Sequence, residues 1–243
     1  MNPLRQFFFP LFCLLALALT TQAQTEDQVR DLQKLYQTAE VPGLQVTVYL
    51  QQKDGSLMPV EPQQEFHQGE QVKIRLESNF RGYLYVINHG ASGEKRIVFP
   101  DQQESNLIQP GASYLLPSTY DLVFDENAGF ETLQIIVAPQ RLAILDTALK
   151  QPEGKLKASQ IAAVANFWND PMPDQAGITA GSADSSSIQD KQGGRDIAFD
   201  RKGKTTTVVN TPKKGSAKQK TSPQSVPPAT SVGIRLRNTG RQR

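Results

Sequence analysis

Histidine is the side chain best suited to acid–base or metal chemistry near neutral pH, and this chain has two, His67 and His89. They are far apart in the sequence, and the single cysteine is Cys13. Zinc and copper sites need several such ligands at matched spacing. We therefore expect no metal or cofactor, and we interpret His89, which precedes a glycine-rich segment, as a solvated side chain.

Ser92 lies in the segment Gly90-Ala91-Ser92-Gly93, directly after His89, and is the residue most open to interpretation as a nucleophile. A nucleophilic serine of this type needs a strand-to-helix elbow and a correctly placed base. The flanking residues alternate as strands do, so we predict a hairpin turn here. Gly193-Gly194 follows no buried strand, so it does not indicate a phosphate-binding loop.

Four oxygen-bearing side chains crowd a short segment: Asp121, Asp125, Glu126 and Asn127. Calcium prefers clustered carboxylate and carbonyl oxygens, but the spacing is not that of an EF-hand loop. A solvated turn has the same composition, so the sequence leaves calcium binding open. We predict no catalytic, cofactor-binding or metal-ligating residue.

The first 23 residues have the pattern of a secretory signal peptide. A basic residue, Arg5, precedes the apolar run Phe7–Leu19, and Thr21-Gln22-Ala23 puts small residues at the cleavage positions. Cys13 lies within this segment, so we expect the mature chain to fold without disulfides. The sequence therefore predicts a periplasmic or extracellular protein of a bacterium, with no transmembrane span after cleavage.

Alternation of apolar and polar residues predicts a mainly β domain at residues 43–139, after an N-terminal helix at 24–42. The pattern indicates an antiparallel β-sandwich, either immunoglobulin-like or a partly open barrel. Gly82–Ile87 is apolar on both faces, which is typical of a central strand between two layers. Ten positions are predicted to form the core: Leu44, Val46, Val72, Ile74, Leu76, Leu84, Val86, Leu133, Ile135 and Val137.

Two short helices are predicted at residues 140–170, followed by a low-complexity tail at 171–243. Residues 24–170 carry 12 Lys/Arg against 19 Asp/Glu, whereas residues 171–243 carry 13 against 5. The tail has few large apolar residues, so we predict that it is mostly disordered. Asp196–Asp200 and Lys204–Asn210 could form a weak hairpin, and Val232–Leu236 could return to the sheet as a strand within 232–237.

Several elements over about seventy residues resemble the bacterial family known as domain of unknown function 4384. They are Phe66, Gly69-Glu70, the strand Gly82–Val86, Phe99-Pro100, Asn106, Pro110-Gly111, Leu116-Pro117 and the turn Gly129-Phe130-Glu131. The closing residues Ile234–Arg237 also look like the last strand of some secreted members. The resemblance implies a β-rich module of exported bacterial proteins, and it supplies no catalytic residues.

Together these features favour an exported, non-enzymatic binding or accessory module that acts on a protein partner or an anionic envelope surface. The spread-out charges of the tail, without interleaved aromatic residues, argue against nucleic acid. Two alternatives stay open. One is an envelope-polymer hydrolase whose paired Asp/Glu carboxylates stand about 5–10 Å apart across a cleft, and the other is a purely structural envelope component.

Overall fold

The computed structural model describes residues 30–31, 33–34, 36–38, 42–101, 104–165, 177–182, 196–200, 204–209 and 230–240. The predicted signal peptide, residues 1–23, lies outside the described residues, as do Gly193-Gly194 and much of the predicted tail. The described residues between 30 and 38 are helical, within the N-terminal helix expected at 24–42. Tyr36 from this segment is buried, and its hydroxyl donates a hydrogen bond to Glu77 Oε1 at 3.3 Å.

The described part of the chain is mainly β, as the sequence predicts. Its strands, in chain order, are β1 (Gly43–Gln51), β2 (Leu57–Val60), β3 (Glu65–Phe66), β4 (Gln71–Ser78), β5 (Gly82–His89), β6 (Lys95–Phe99), β7 (Leu107–Ile108), β8 (Ser113–Leu116), β9 (Leu122–Val123), β10 (Gly129–Ala138), β11 (Gly177–Ser182), β12 (Asp196–Asp200), β13 (Thr205–Val209) and β14 (Thr230–Asn238). After the N-terminal helical residues, the helices are α1 (Ala143–Ala148) and α2 (Ala158–Ala165), with a 3₁₀ turn at Pro152–Gly154 between them.

The strands form two separate sheets. Sheet A has the order β12-β13-β1-β4-β8, with β2 beside β1 and β9 beside β4. Sheet B has the order β11-β14-β10-β5-β6, with β3 beside β14 and β7 beside β5. Pairing is antiparallel apart from the short parallel contact of β3 with β14. The described strands do not close into a barrel.

The main core lies between the sheets and confirms the predicted alternation. Every second residue of β1, β4, β5, β10 and β14 points into it, and all ten predicted core residues belong to this cluster. Ile74 and Ile135, for example, are 1 % and 0 % exposed. The two sheets are therefore the two layers of a sandwich, held together by burial of their facing apolar side chains.

A second, smaller core lies on the outer face of sheet B. Tyr85 and Ile87 of β5 and Ile136 of β10 pack there against Leu145 of α1. The Tyr85 hydroxyl donates to Asp146 Oδ1 at 2.9 Å and accepts the backbone N–H of Leu142 at 3.0 Å. Strand β5 is consequently buried on both faces, as its apolar sequence predicts.

The predicted tail contributes four of the described strands, β11 to β14, and the prediction that it is mostly disordered concerns residues that lie largely outside the described ranges. The suspected hairpin is present, since β12 and β13 pair along five residues each. Strand β14 is the returning strand, and it pairs with β10 over nine positions from Gly129↔Asn238 to Val137↔Thr230. Strand β11 is the one that the sequence did not predict, because a strand added to a sheet that is already apolar needs few large side chains of its own.

Candidate functional site

The two histidines occupy separate positions and do not form a joint site. His89 ends β5, where its Nε2 is 3.1 Å from Gln134 Oε1. Burial, together with the nearby Lys95, lowers the pKa of His89 to about 4, so the ring is neutral at physiological pH. The expectation of a solvated side chain is wrong here, because the strand runs further than its apolar stretch. His67 instead contacts Thr239 Oγ1 through Nδ1 at 2.7 Å.

Ser92 lies in the hairpin turn that the glycines predict. Gly93 donates its backbone N–H to the Gly90 carbonyl at 2.9 Å, and Gly93 has a φ of 86°. A positive φ favours glycine, since residues with a Cβ adopt this backbone conformation only at a cost in free energy. Glu131 of β10 holds the same turn, because its Oε1 accepts the backbone N–H of Ala91 at 3.0 Å. The segment is therefore a hairpin fixed by a carboxylate.

The acidic residues after β8 have two separate roles, an ion pair with Lys73 and the support of a turn. Asp121 lies 3.0 Å from Lys73 Nζ, and Asp125 accepts both the backbone and side-chain N–H groups of Asn127 at 2.8 Å. Asn238 of β14 donates to the carbonyl oxygens of Asp125 and Asn127, which ties this loop to sheet B. Within the described residues no three His, Cys, Asp or Glu side chains converge as a metal site would require.

One end of the sandwich is open and contains a narrow cavity between the sheets, which we call the inter-sheet slot. Its volume is about 40 Å³. Apolar side chains make most of its walls, and three polar residues from neighbouring strands complete it. The lining comprises Val72, Leu122, Val123, Phe124, Leu133 and Leu236, together with Asn88, Arg96 and Glu131.

Strand register explains why these polar groups meet. Asn88 of β5 pairs with Arg96 of β6 on one side and with Leu133 of β10 on the other. Glu131 precedes Leu133 by two residues, so it faces the same side of sheet B. Asn88 Nδ2 donates to Glu131 Oε2 at 3.2 Å. The polar residues therefore continue the inward-facing row of apolar side chains to the end of the sandwich.

Glu131 is the most perturbed carboxyl group in this region. Burial raises its pKa above the ordinary value, while the bonds from Ala91 and Asn88 act in the opposite direction. Asn88 Oδ1 is buried and has no hydrogen-bond partner among the described residues. The slot is thus lined by a partly desolvated carboxylate, and the unpaired amide oxygen beside it is closed off from solvent.

A second candidate feature is the free edge of sheet A, which consists of residues 113–123. Strand β8 pairs with β4, and no strand among the described residues pairs with its other side. Leu115, Tyr120 and Val123 are 39 %, 40 % and 56 % exposed. In the described residues the exposed large apolar side chains are these three and Met58, so three of four lie on this edge.

Lys73 fixes the shape of the free edge. Its ammonium group donates to the carbonyl oxygens of Pro117 at 2.9 Å and Tyr120 at 2.8 Å, besides pairing with Asp121. All three of its donors are therefore used. The loop between β8 and β9 is held in place from within sheet A, so Tyr120 and Val123 are presented by a well-supported scaffold.

Sequence reasoning missed the slot, since it named none of its polar residues as site candidates. In the sequence Glu131 belongs to a turn pattern, and Asn88 and Arg96 belong to no motif. Their grouping depends on the register of three strands, β5, β6 and β10, which are far apart in sequence. One sequence signal for the slot is a polar residue at an inward-facing position of a strand. Glu131 is such a residue, because it is on the same face of β10 as Leu133 and Ile135.

Most residues that carry the family resemblance support the scaffold. Phe66 stacks on Phe124 with ring centroids 4.8 Å apart. A Cβ at Gly82 would lie 2.6 Å from Val137 Cγ1, so β5 and β10 approach closely there. The peptide bonds Phe99–Pro100 and Leu116–Pro117 are cis. Glu131 is the exception, because it also lines the slot.

The fold defines a two-sheet β-sandwich module with short helices on one outer face. Residues 65–141 match the family described as "Domain of unknown function (DUF4384)", and this match confirms the resemblance for that segment. Strands β3 to β10 fall within it, so the family segment supplies parts of both sheets and all the polar residues of the slot. Neither a curated protein nor a solved structure matches the chain. Of the helices in the described ranges, none is both long and apolar enough to span a bilayer.

Proposed function

We propose that this protein is an exported, non-enzymatic binding or accessory module of the bacterial envelope. The observation that carries the proposal is the grouping of Leu115, Tyr120 and Val123 on the free edge of sheet A. Isolated apolar side chains are common on protein surfaces, but clustered ones mark interaction sites more often. A free sheet edge also offers backbone groups to an extended segment of a partner.

The chemistry of the edge fits a protein partner better than a lipid surface. Arg75 of β4 lies opposite Leu115 in the register, and its guanidinium is 5.3 Å from the Tyr49 ring centroid. Aromatic residues and arginine beside exposed aliphatic ones are typical of protein–protein hot spots. An anionic envelope surface contacted by the basic residues after 171 is the other partner class that the sequence suggests.

Export is part of the same proposal and is supported by the pattern of the first 23 residues. Expression of the full chain in a bacterial host, followed by cell fractionation, tests it. We expect a processed form that begins near Gln24 in the periplasm or medium. An unprocessed chain in the cytoplasm would refute the location.

Site-specific photo-crosslinking tests the binding edge. A photoreactive residue at position 115 or 123 is expected to capture a discrete partner from envelope fractions of the native host. Position 58 is the matched control, because Met58 is 45 % exposed but belongs to β2. An excess of native protein without the photoreactive residue should abolish capture. An excess of the variant L115D should not, because its edge no longer presents Leu115 to the partner. Equal capture at position 58 and position 115 would refute a specific edge.

The hydrolase alternative is favoured by one observation, the half-buried carboxyl of Glu131 beside a cavity. A perturbed carboxyl in a cleft is a general mark of acid–base sites. Purified protein and E131Q should be compared for release of soluble fragments from cell-wall polymer. Activity that disappears in E131Q would replace the binding proposal by the enzymatic one. The structural-component alternative predicts high abundance and no captured partner.

A further inference from the structure

The free edge of sheet A is open, whereas the adjacent edge of sheet B is covered. On sheet B, Leu156 donates its backbone N–H to the Lys95 carbonyl of β6 at 3.0 Å. The Tyr120 hydroxyl covers a second carbonyl of β6, that of Val98, at 2.8 Å. On β8, by contrast, no loop or side chain of the described residues donates to or accepts from the backbone of Ser113–Leu116. Unpaired backbone groups at a sheet edge are a template for one more strand.

The open edge carries no charge of its own. The run Gln109–Tyr120 contains β8 and the residues on both sides of it, and it has no Asp, Glu, Lys, Arg or His. Charged side chains, lysine above all, are the usual protection of a sheet edge against pairing with another copy. Like charges directly opposite each other destabilise a strand pair, so a charged segment repels its own copy and an uncharged one does not. In charge, this edge is therefore complementary to itself.

The charged side chains of the adjoining strand, β4, are engaged within the protomer. Lys73 pairs with Asp121 at 3.0 Å, and Glu77 accepts a hydrogen bond from the N-terminal helical segment. The guanidinium of Arg75 lies over the ring of Tyr49, 5.3 Å from its centroid. Tyr49 belongs to β1, which is on the other side of β4 from β8. The charges beside β8 are thus paired within the protomer or directed away from its edge.

We propose that the free edge of sheet A pairs with the same edge of a second copy of this chain, the two β8 strands lying antiparallel about a two-fold axis at Leu115. The inference rests on the proposed binding function and identifies the partner as a second copy. The uncharged run is centred close to Leu115, so pairing about this residue lays each run along the other. Leu115, 39 % exposed in the single chain, is then covered by its own copy. Two-fold dimers that use the same patch on both subunits are the commonest soluble oligomers.

Sedimentation velocity of the mature protein over a range of concentrations measures the dimer directly. We expect a reversible monomer–dimer equilibrium between about 1 and 500 µM, because the paired strands are short. L115D should weaken the dimer by about a hundredfold or more, since the two-fold axis brings the two carboxylates face to face. M58D is the matched control and should dimerise as the native protein does, because Met58 is 45 % exposed but lies on β2. A native protein that is monomeric throughout, or equal effects of L115D and M58D, would refute the second copy.

Disulfide trapping locates the two-fold axis and keeps the proposal testable if L115D disturbs the fold. Directly opposite residues of antiparallel strands have Cα atoms about 4.5–5.5 Å apart, which is within the range that a disulfide spans. Residues 24–243 contain no cysteine, so a single introduced thiol reports on one position. Under mild oxidation L115C should form a disulfide-linked dimer, and the control M58C should not. Equal linkage of L115C and M58C would show random collision and refute pairing at Leu115.

Photo-crosslinking at position 115 separates this inference from the proposed function. If the protein is monomeric and position 115 captures a different protein, the second copy is refuted and the binding edge stands. If the protein is monomeric and position 115 captures nothing, the binding edge is refuted as well.

Discussion

Replacement of Ile234 by alanine tests whether the C-terminal strand is an integral part of the sandwich. Ile234 is 0 % exposed in the inter-sheet core and pairs with Leu133 on one side and Ile178 on the other. Loss of the buried aliphatic carbons and the cavity left behind should together cost about 2–5 kcal/mol of unfolding free energy. A single domain is stable by only about 5–15 kcal/mol, so the effect is a large fraction of the total.

Equilibrium unfolding in urea measures this cost directly. With a slope of about 2 kcal/mol per M, the midpoint of I234A should fall by roughly 1–2.5 M at an unchanged slope. R237A is the matched control on the same strand, because Arg237 has a side-chain exposure of 57 % and should change the stability by less than about 1 kcal/mol. An I234A midpoint within error of the native protein would refute the central placement of β14.

Three further predictions concern other parts of the domain. G82A should destabilise the fold by about 1–3 kcal/mol, because the added Cβ would lie 2.6 Å from Val137 Cγ1. Thermal or urea unfolding measures this change, and an unchanged midpoint would contradict the close approach of β5 and β10. K73M should lower the free energy of unfolding by about 2–4 kcal/mol and make the loop that contains Asp121 sensitive to protease. If the loop of the variant resists cleavage as well as that of the native protein, Lys73 does not anchor it. His89 has a pKa of about 4 in the fold against 6.5 when unperturbed, so the unfolded chain binds the proton more readily. Stability should be fully present above about pH 6.5 and fall by about 1–3 kcal/mol toward pH 4, and H89Q should lose that part of the pH dependence in acid titrations of the unfolding midpoint.

The strands with alternating patterns could be predicted from sequence because each carries its own burial signal. In β4, Val72, Ile74 and Leu76 face the core while Lys73 and Arg75 face outward, and the structure has that arrangement. The same two-residue period locates the inward row of β10. Such strands can be predicted without knowing their neighbours, since the order of apolar and polar residues shows which side chains face the core.

The strands of the predicted tail could not be assigned firmly because their stability comes from their neighbours. Gly177–Ser182 contains one large apolar residue, Ile178, yet it pairs with β14 over six positions. The slot was beyond prediction for a related reason. Asn88, Arg96 and Glu131 become neighbours only when three strands adopt one register, and no local pattern encodes that register.

The position of β14 also sets an order for folding. Strand β10 ends at residue 138 and β14 begins at residue 230, so sheet B joins segments separated by about ninety residues. Closing so long a loop carries an entropic cost that slows folding of such topologies. Until residues 230–238 have been synthesised, the ten-residue edge of β10 lacks its partner, and an unpaired apolar edge invites aggregation. The edge of β10 is therefore covered only when the last strand of the domain is available.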